Sequence, residues 1–93
     1  MITTNEIEKK IKENIQTSHI QVVDLRGGDH IMAVIVSSEF ENKGLIEQHK
    51  MIYDILSSEM SSNTIHALTL KTYTPSQWEK IKPTFTTELE HNI

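Results

Sequence analysis

Histidines are the main candidates for chemistry in this sequence, which has five of them and no cysteine. The absence of cysteine excludes a disulfide, a thiol nucleophile and a metal site built from the chain's own thiolates. Metal chemistry would therefore use nitrogen or oxygen ligands, or sulfur from a partner. The sequence lacks G-x-S-x-G, a P-loop and H-E-x-x-H, and its carboxylates form no obvious convergent pair, so we do not expect an enzyme.

Two histidines lie where a partner could reach them. His66 begins an apolar strand pattern and alternates with Leu68 and Leu70, so we expect its side chain on their face, near the edge of the sheet. From the residues alone, it is equally well a core histidine or a ligand. His30 follows a Gly-Gly-Asp turn, an accessible place that does not by itself indicate a function.

The other three histidines have plainer interpretations. His49 falls on the apolar face of a predicted helix, where a partly buried histidine with one satisfied hydrogen bond is a common feature, so we interpret it as structural or partner-facing. His19 lies at a helix-to-strand junction and His91 in the C-terminal tail, and we expect a functional role for neither.

Length and composition indicate one small soluble domain. The chain has 93 residues, 37% hydrophobic and 24% charged, with no apolar run long enough to span a membrane. We predict a single domain over residues 1–82 and a frayed tail over 83–93. The polar N-terminus resembles no targeting segment, which favours the cytoplasm. The net charge of −4 weakens diffuse attraction to nucleic acid.

The first half of the chain predicts a helix followed by a β-hairpin. Isoleucines spaced four apart and a Thr3/Glu6 capping box predict a helix over about residues 4–16. Residues 19–25 and 31–36 predict two strands joined by the turn chemistry of residues 26–29. The continuous apolar run of the second strand indicates that it is central or buried on both faces.

The second half predicts a helical segment, a strand and a final helix. A short helical turn precedes a main helix over about residues 44–60, with Leu45, His49, Ile52 and Leu56 on one face and Ile46, Tyr53 and Met60 beside them. A strand over residues 65–71 follows. Thr74, Pro75 and Gln77 form a complete helix start, and Trp78 is placed to pack that helix on the fold. The order predicts an α+β fold with a three-stranded mixed sheet and helices mainly on one face.

Three segments closely resemble the BolA-like family. They are G-D-H-I-M-A-V-I-V-S-S-E-F (28–40), N-K-G-L-I-E-Q-H-K-M-I-Y (42–53) and I-H-A-L-T-L-K-T-Y-T-P-S-Q-W-E (65–79). The resemblance covers about residues 5–80, and the compact turn between strands one and two is similar to that of small bacterial members. It implies a fold similar to class II KH domains, α-β-β-α-α-β with an added α, in agreement with the order predicted above.

The resemblance also implies a function. Proteins of this family pair with monothiol glutaredoxins, and the heterodimer holds a [2Fe–2S] cluster used in cluster trafficking and iron homeostasis. The family's H-A-L histidine falls on His66, the expected cluster ligand. Histidine can replace cysteine on one iron of such a cluster. A chain without cysteine would then depend on the glutaredoxin cysteine and on glutathione for sulfur.

The second ligand is where this sequence departs from the family pattern. Many members place a cysteine or a histidine in the loop between strands one and two, and here that loop is Gly27-Gly28-Asp29-His30. His30 is the natural substitute, although histidine also occurs at this position in members whose ligand lies earlier in a longer loop.

Two alternatives stay open at this point. Some members are described as DNA-binding transcription regulators, which would use the helix-turn-helix face of residues 38–60 with Lys43, His49 and Lys50 near phosphate. Against this, the sequence is acidic, has no G-x-x-G loop, and shows Gln48-His49-Lys50 where the family often has R-H-R. The other alternative is a protein that regulates a glutaredoxin by contact alone.

Overall fold

The computed structural model describes residues 2–81, so the tail predicted over 83–93, with His91, lies outside the described residues. Its elements are α1 (Thr4–Asn14), β1 (His19–Arg26), β2 (His30–Val36), a 3₁₀ turn (Ser38–Phe40), α2 (Leu45–Ile55), α3 (Ser57–Ser61) and β3 (Ala67–Tyr73), followed by helical residues 75–81, termed α4. No helix within residues 2–81 is long and apolar enough to cross a membrane.

The sheet has the order β1-β2-β3, with β1 and β2 antiparallel and β2 and β3 parallel. This confirms the α+β class, the mixed sheet and the central position of the second strand. From Ala33 to Val36 every residue of β2 is fully buried, as expected for a strand with a neighbour on each side and helices over the sheet. The α-β-β-α-α-β order of the KH-like fold is present.

The core lies between the sheet and helices α1 and α2. Ile7 and Ile11 of α1 and Ile52 of α2 are fully buried, together with Ile31 and Ile35 of the central strand. Full burial of such side chains contributes about 1.5–3 kcal/mol each relative to exposure. These helices therefore cover one face of the sheet whose strand ends are described below.

The α4 helix packs against the opposite face of the sheet. Adjacent strand residues point to opposite faces, and Ile20 packs on the core, so His19 faces away from α1 and α2. The Trp78 ring stacks on His19 with 4.7 Å between centroids and lies 5.7 Å from the Tyr73 ring. The prediction that Trp78 packs the last helix onto the fold is therefore confirmed.

Capping explains where two of the helices begin. In α4 the Thr74 hydroxyl accepts the Gln77 backbone N–H at 3.3 Å, and the Gln77 amide oxygen accepts the Thr74 N–H at 2.9 Å. The predicted capping box is thus complete. In α1 the Thr3 hydroxyl accepts the Glu6 N–H at 3.1 Å, but the Glu6 carboxylate bonds the Thr3 hydroxyl rather than its backbone N–H.

Two predicted helices differ from the structure, one in its last residue and the other in its continuity. The α1 helix ends at Asn14 because Ile15 is extended, with φ −139° and ψ 156°, and turns its side chain into the core. The main helix is two helices, because Leu56 leaves the helical region at φ −99° and ψ 19° while its side chain stays buried. Ser57 and Ser58 follow this break, and serine side chains compete for backbone hydrogen bonds.

The predicted apolar face of the main helix was wrong in its first turn. Leu45 and Ile46 are exposed, with 61% and 85% of their surface accessible. The buried stripe is instead Gln48, Ile52 and Leu56, which are spaced four apart. In the first turns of the helix, the buried side chain is therefore the polar Gln48 and not Leu45, which the hydrophobic pattern predicted.

Candidate functional site

The parallel pairing of β2 and β3 brings two histidines to one end of the sheet. His30 begins β2 and is opposite Ala67, the first residue of β3, so His66 lies directly before that strand. The ring centroids of His30 and His66 are 5.5 Å apart, with the rings tilted by 48°. Strands that run in parallel have their N-terminal ends at the same edge, which is why residues far apart in sequence meet here.

His66 lies at the end of the sheet, as predicted, but it precedes β3 instead of belonging to it. The strand starts at Ala67 rather than at residue 65. The Asp29 carbonyl accepts the His66 N–H at 2.8 Å and the Ala67 N–H at 3.1 Å. His66 therefore precedes the alternation of Leu68 and Leu70, and its side chain is exposed. Of the two interpretations that the residues left open, the core histidine is wrong.

The turn before His30 has a defined backbone. Gly27 and Gly28 have φ of 69° and 82°, in the left-handed region where glycine carries no steric penalty. The Asp24 carboxylate accepts the Gly28 N–H at 3.0 Å, and the strand register shifts by a bulge between Asp24 and Arg26. This compact turn presents Asp29 and His30 at the edge.

The Asp29 carboxylate is hydrogen-bonded to the His30 ring. Oδ1 of Asp29 lies 2.7 Å from Nδ1 of His30, and the two side chains are 47% and 34% exposed. This hydrogen bond lowers the pKa of the Asp29 carboxyl below its ordinary value, since it favours the charged form. The site thus contains one carboxylate and two imidazoles, all within reach of solvent.

The spacing of the two rings fits a shared metal ion, but the chain alone does not complete a metal site. Two imidazoles on one tetrahedral ion, with metal–nitrogen distances of about 2.0–2.1 Å, have centroids roughly 5 Å apart. Within residues 2–81, no group of three or more His, Asp or Glu side chains is arranged to hold a metal ion. Ligands from another molecule would have to supply the rest.

The second predicted group, Lys43, His49 and Lys50, lies along the start of α2 and the loop before it. Lys43 and Lys50 are exposed, whereas His49 is half-buried and its Nε2 atom is buried without a hydrogen-bond partner in the described chain. Exposed Glu41 and Glu47 stand in the same segment. The two lysines are therefore available to a ligand, and Nε2 of His49 is not.

Gln48 was missed as a core residue. Its amide oxygen accepts the Thr72 hydroxyl at 2.7 Å, and its Nε2 donates to the Lys43 carbonyl at 2.9 Å. This buried amide joins α2 to β3 and to the preceding loop. The Gln48 side chain is 6% exposed, so it is not available to a ligand on the surface.

Comparison with known proteins assigns the chain to a family. The family model described as BolA-like protein matches residues 4–77. The chain belongs to the BolA-like family. It is 35% identical over 82 residues to Protein BOLA2 of Arabidopsis thaliana, covering 85% of this chain and 86% of that one. It is 34% identical over 92 residues to the DNA-binding transcriptional regulator BolA of Escherichia coli K12, covering 90% and 87%.

Solved structures of the BolA-like family share the fold. The crystal structure of a bol-like protein from Babesia bovis matches with a TM-score of 0.78 and 31% identity, covering 88% of this chain and 95% of that one. The BolA domain of SufE1 from Arabidopsis thaliana matches with a TM-score of 0.73 and 30% identity, covering 78% and 92%. The BolA-like resemblance read from the three sequence segments is confirmed.

Proposed function

We propose that this BolA-like protein is a non-enzymatic adaptor that pairs with a monothiol glutaredoxin and contributes His66 and His30 to a shared [2Fe–2S] cluster. The observation that carries the proposal is the pair of imidazoles at the N-terminal ends of β2 and β3, with 5.5 Å between ring centroids. His30 belongs to β2, and the His66 N–H bonds the Asp29 carbonyl, so both rings start from hydrogen-bonded backbone positions. Family membership supports the same assignment.

The donor set suits a cluster shared between two molecules. Histidine replaces two cysteines on one iron in Rieske centres, so imidazole nitrogen is an adequate ligand for such an iron. The chain has no cysteine and offers two nitrogens at this edge, which leaves thiolate ligands to the glutaredoxin and to glutathione. When bound, the cluster would be the cargo that the two proteins deliver to a recipient protein.

Reconstitution with iron, sulfide and glutathione tests the proposal. A monothiol glutaredoxin is mixed anaerobically with the wild type, His30→Ala or His66→Ala, and visible absorption and circular dichroism are recorded. His19→Phe is the matched control, because it removes an imidazole from the other end of the sheet and keeps an aromatic ring for stacking on Trp78. Size-exclusion chromatography on the same samples measures complex formation.

We expect a heterodimer spectrum that differs from that of the glutaredoxin alone, unchanged in His19→Phe and altered in both alanine variants. A spectrum identical in all four proteins would refute the cluster assignment. Complex formation that survives both alanine substitutions without a cluster would instead support regulation by contact alone.

DNA binding is the second candidate function, and a relative's name favours it. The E. coli relative is named a DNA-binding transcriptional regulator. Here the exposed Lys43 and Lys50 would meet phosphate, with Glu41 and Glu47 opposing them. Each phosphate contact contributes about 0.9 to the slope of log affinity against log salt. Replacing both lysines by glutamine should therefore lower that slope by about 2, measured by fluorescence anisotropy on duplex DNA.

A further inference from the structure

Asp29 forms hydrogen bonds with both His30 and His66. Its carboxylate oxygen lies 2.7 Å from Nδ1 of His30. Its backbone carbonyl accepts the N–H groups of His66 at 2.8 Å and of Ala67 at 3.1 Å. One residue therefore fixes the ring of the first histidine and the backbone of the second.

The contact with His30 decides which ring nitrogen is available to a ligand. An ionised carboxylate only accepts hydrogen bonds, so Nδ1 of His30 must carry the proton in this pair. In the neutral imidazole the other nitrogen, Nε2, then has the free lone pair. Histidines that ligate metals in proteins are commonly held this way, with the second ring nitrogen donating to a carboxylate or carbonyl.

We propose that Asp29 is a positioning residue that fixes the Nε2-ligating tautomer of His30 and sets the spacing between His30 and His66. This inference rests on the proposed cluster function and names a residue that acts through the ligand rather than on the iron. Stability alone does not account for the contact, because a polar contact between side chains this exposed contributes little to folding. The geometry instead constrains the ring where it meets solvent.

Substitutions of Asp29 separate its side-chain role from its backbone role. Asp29→Ala removes the carboxylate and keeps the carbonyl that holds His66, and Asp29→Asn keeps an uncharged acceptor. Asp24→Asn is the matched control, because Asp24 is in the same turn and its carboxylate bonds the Gly28 N–H instead of a histidine. Asparagine can still accept that bond.

The first measurement is the tautomer of His30 in the apo protein. Long-range ¹H–¹⁵N correlation spectra of histidine-labelled protein, at a pH where the ring is neutral, distinguish protonated Nδ1 from protonated Nε2. We expect Nδ1–H in the wild type and in Asp24→Asn, and a shift toward Nε2–H in Asp29→Ala, with Asp29→Asn between them. A wild-type ring protonated on Nε2, or a tautomer unchanged in Asp29→Ala, would overturn the inference.

The second measurement is retention of the cluster by the heterodimer in competition with an iron chelator. Loss of a carboxylate behind a ligating histidine typically weakens metal affinity 10-fold to 100-fold. We expect a loss in that range for Asp29→Ala and none for Asp24→Asn. If His30→Ala changes cluster retention and Asp29→Ala does not, the positioning role fails and the cluster function stands. If neither histidine matters, the cluster function fails, whatever the tautomer.

Discussion

Replacing Gln48 by leucine should destabilise the fold, although leucine is the more hydrophobic side chain. Gln48 is 6% exposed and makes two short hydrogen bonds, to Thr72 at 2.7 Å and to the Lys43 carbonyl at 2.9 Å. Each is worth about 0.5–1.5 kcal/mol net, and a buried partner left unpaired costs about 1–3 kcal/mol more. After the gain from burying leucine, we expect a loss of about 2–3 kcal/mol in the free energy of unfolding.

Urea denaturation followed by circular dichroism measures this loss. For a domain of this size, a loss of about 2–3 kcal/mol lowers Tm by roughly 10–20 °C. Gln21→Leu is the matched control, because Gln21 is exposed on β1, and it should change stability by no more than about 0.5 kcal/mol.

A double-mutant cycle isolates the bond between Gln48 and Thr72. Thr72→Val removes the hydroxyl at nearly constant volume and should cost about 1–2 kcal/mol. In the double variant Gln48→Leu/Thr72→Val, the loss of stability should be about 1 kcal/mol smaller than the sum of the losses in the two single variants, because the bond between the two side chains is lost only once. Additivity within about 0.3–0.5 kcal/mol, or a Gln48→Leu variant as stable as the wild type, would refute this account of the buried amide.

Three further predictions concern other parts of the fold. Hydrogen bonds from Lys10 at 2.8 and 2.9 Å lower the pKa of the Glu59 carboxyl below its ordinary value of 4.5. The pair therefore stabilises the fold above about pH 4.5, and this stabilisation is lost as the pH falls through the lower pKa of the folded state. The wild type should therefore be more stable than Glu59→Gln by about 0.5–1 kcal/mol at neutral pH, and this difference should vanish in acid. Urea titrations at several pH values measure it, and a difference that does not change with pH would contradict the prediction. Thr74→Ala should cost about 1 kcal/mol in the same assay, with Thr74→Ser retaining most of the cap; equal losses would rule out capping by the hydroxyl. Phe40→Ala should cost about 3–5 kcal/mol because the ring is fully buried, and a smaller loss would mean that the core collapses around the gap.

Local signals in the sequence predicted most of the fold. The capping box at Thr74 and Gln77 and the two turn glycines act within a few residues of chain, so their sequence pattern is sufficient to place a helix start and a hairpin. The continuous apolar run of β2 likewise indicates its central position, since only a strand covered on both faces is so uniformly hydrophobic.

Features that depend on contacts between distant segments were missed. The burial of Gln48 depends on Thr72, and the break at Leu56 depends on keeping that side chain in the core. The first N–H groups at the start of β3 bond the carbonyl of Asp29, which lies in the distant turn between β1 and β2. Family resemblance named His30 and His66 together, but only the parallel strand pairing shows that their rings lie side by side.

The separation of the two histidines along the chain would link the binding of a shared ligand to folding. Positions 30 and 66 approach each other only when the whole segment between them, with α2 and α3, has folded back to place β3 beside β2. A ligand held by both rings would act as a cross-link that closes this segment. Because only the folded chain brings the rings together, the binding free energy would stabilise the folded state and not the unfolded one. A ligand bound to both His30 and His66 would therefore slow the local opening of β3. Slower hydrogen exchange at the Ala67 N–H would indicate that the ligand connects the two histidines.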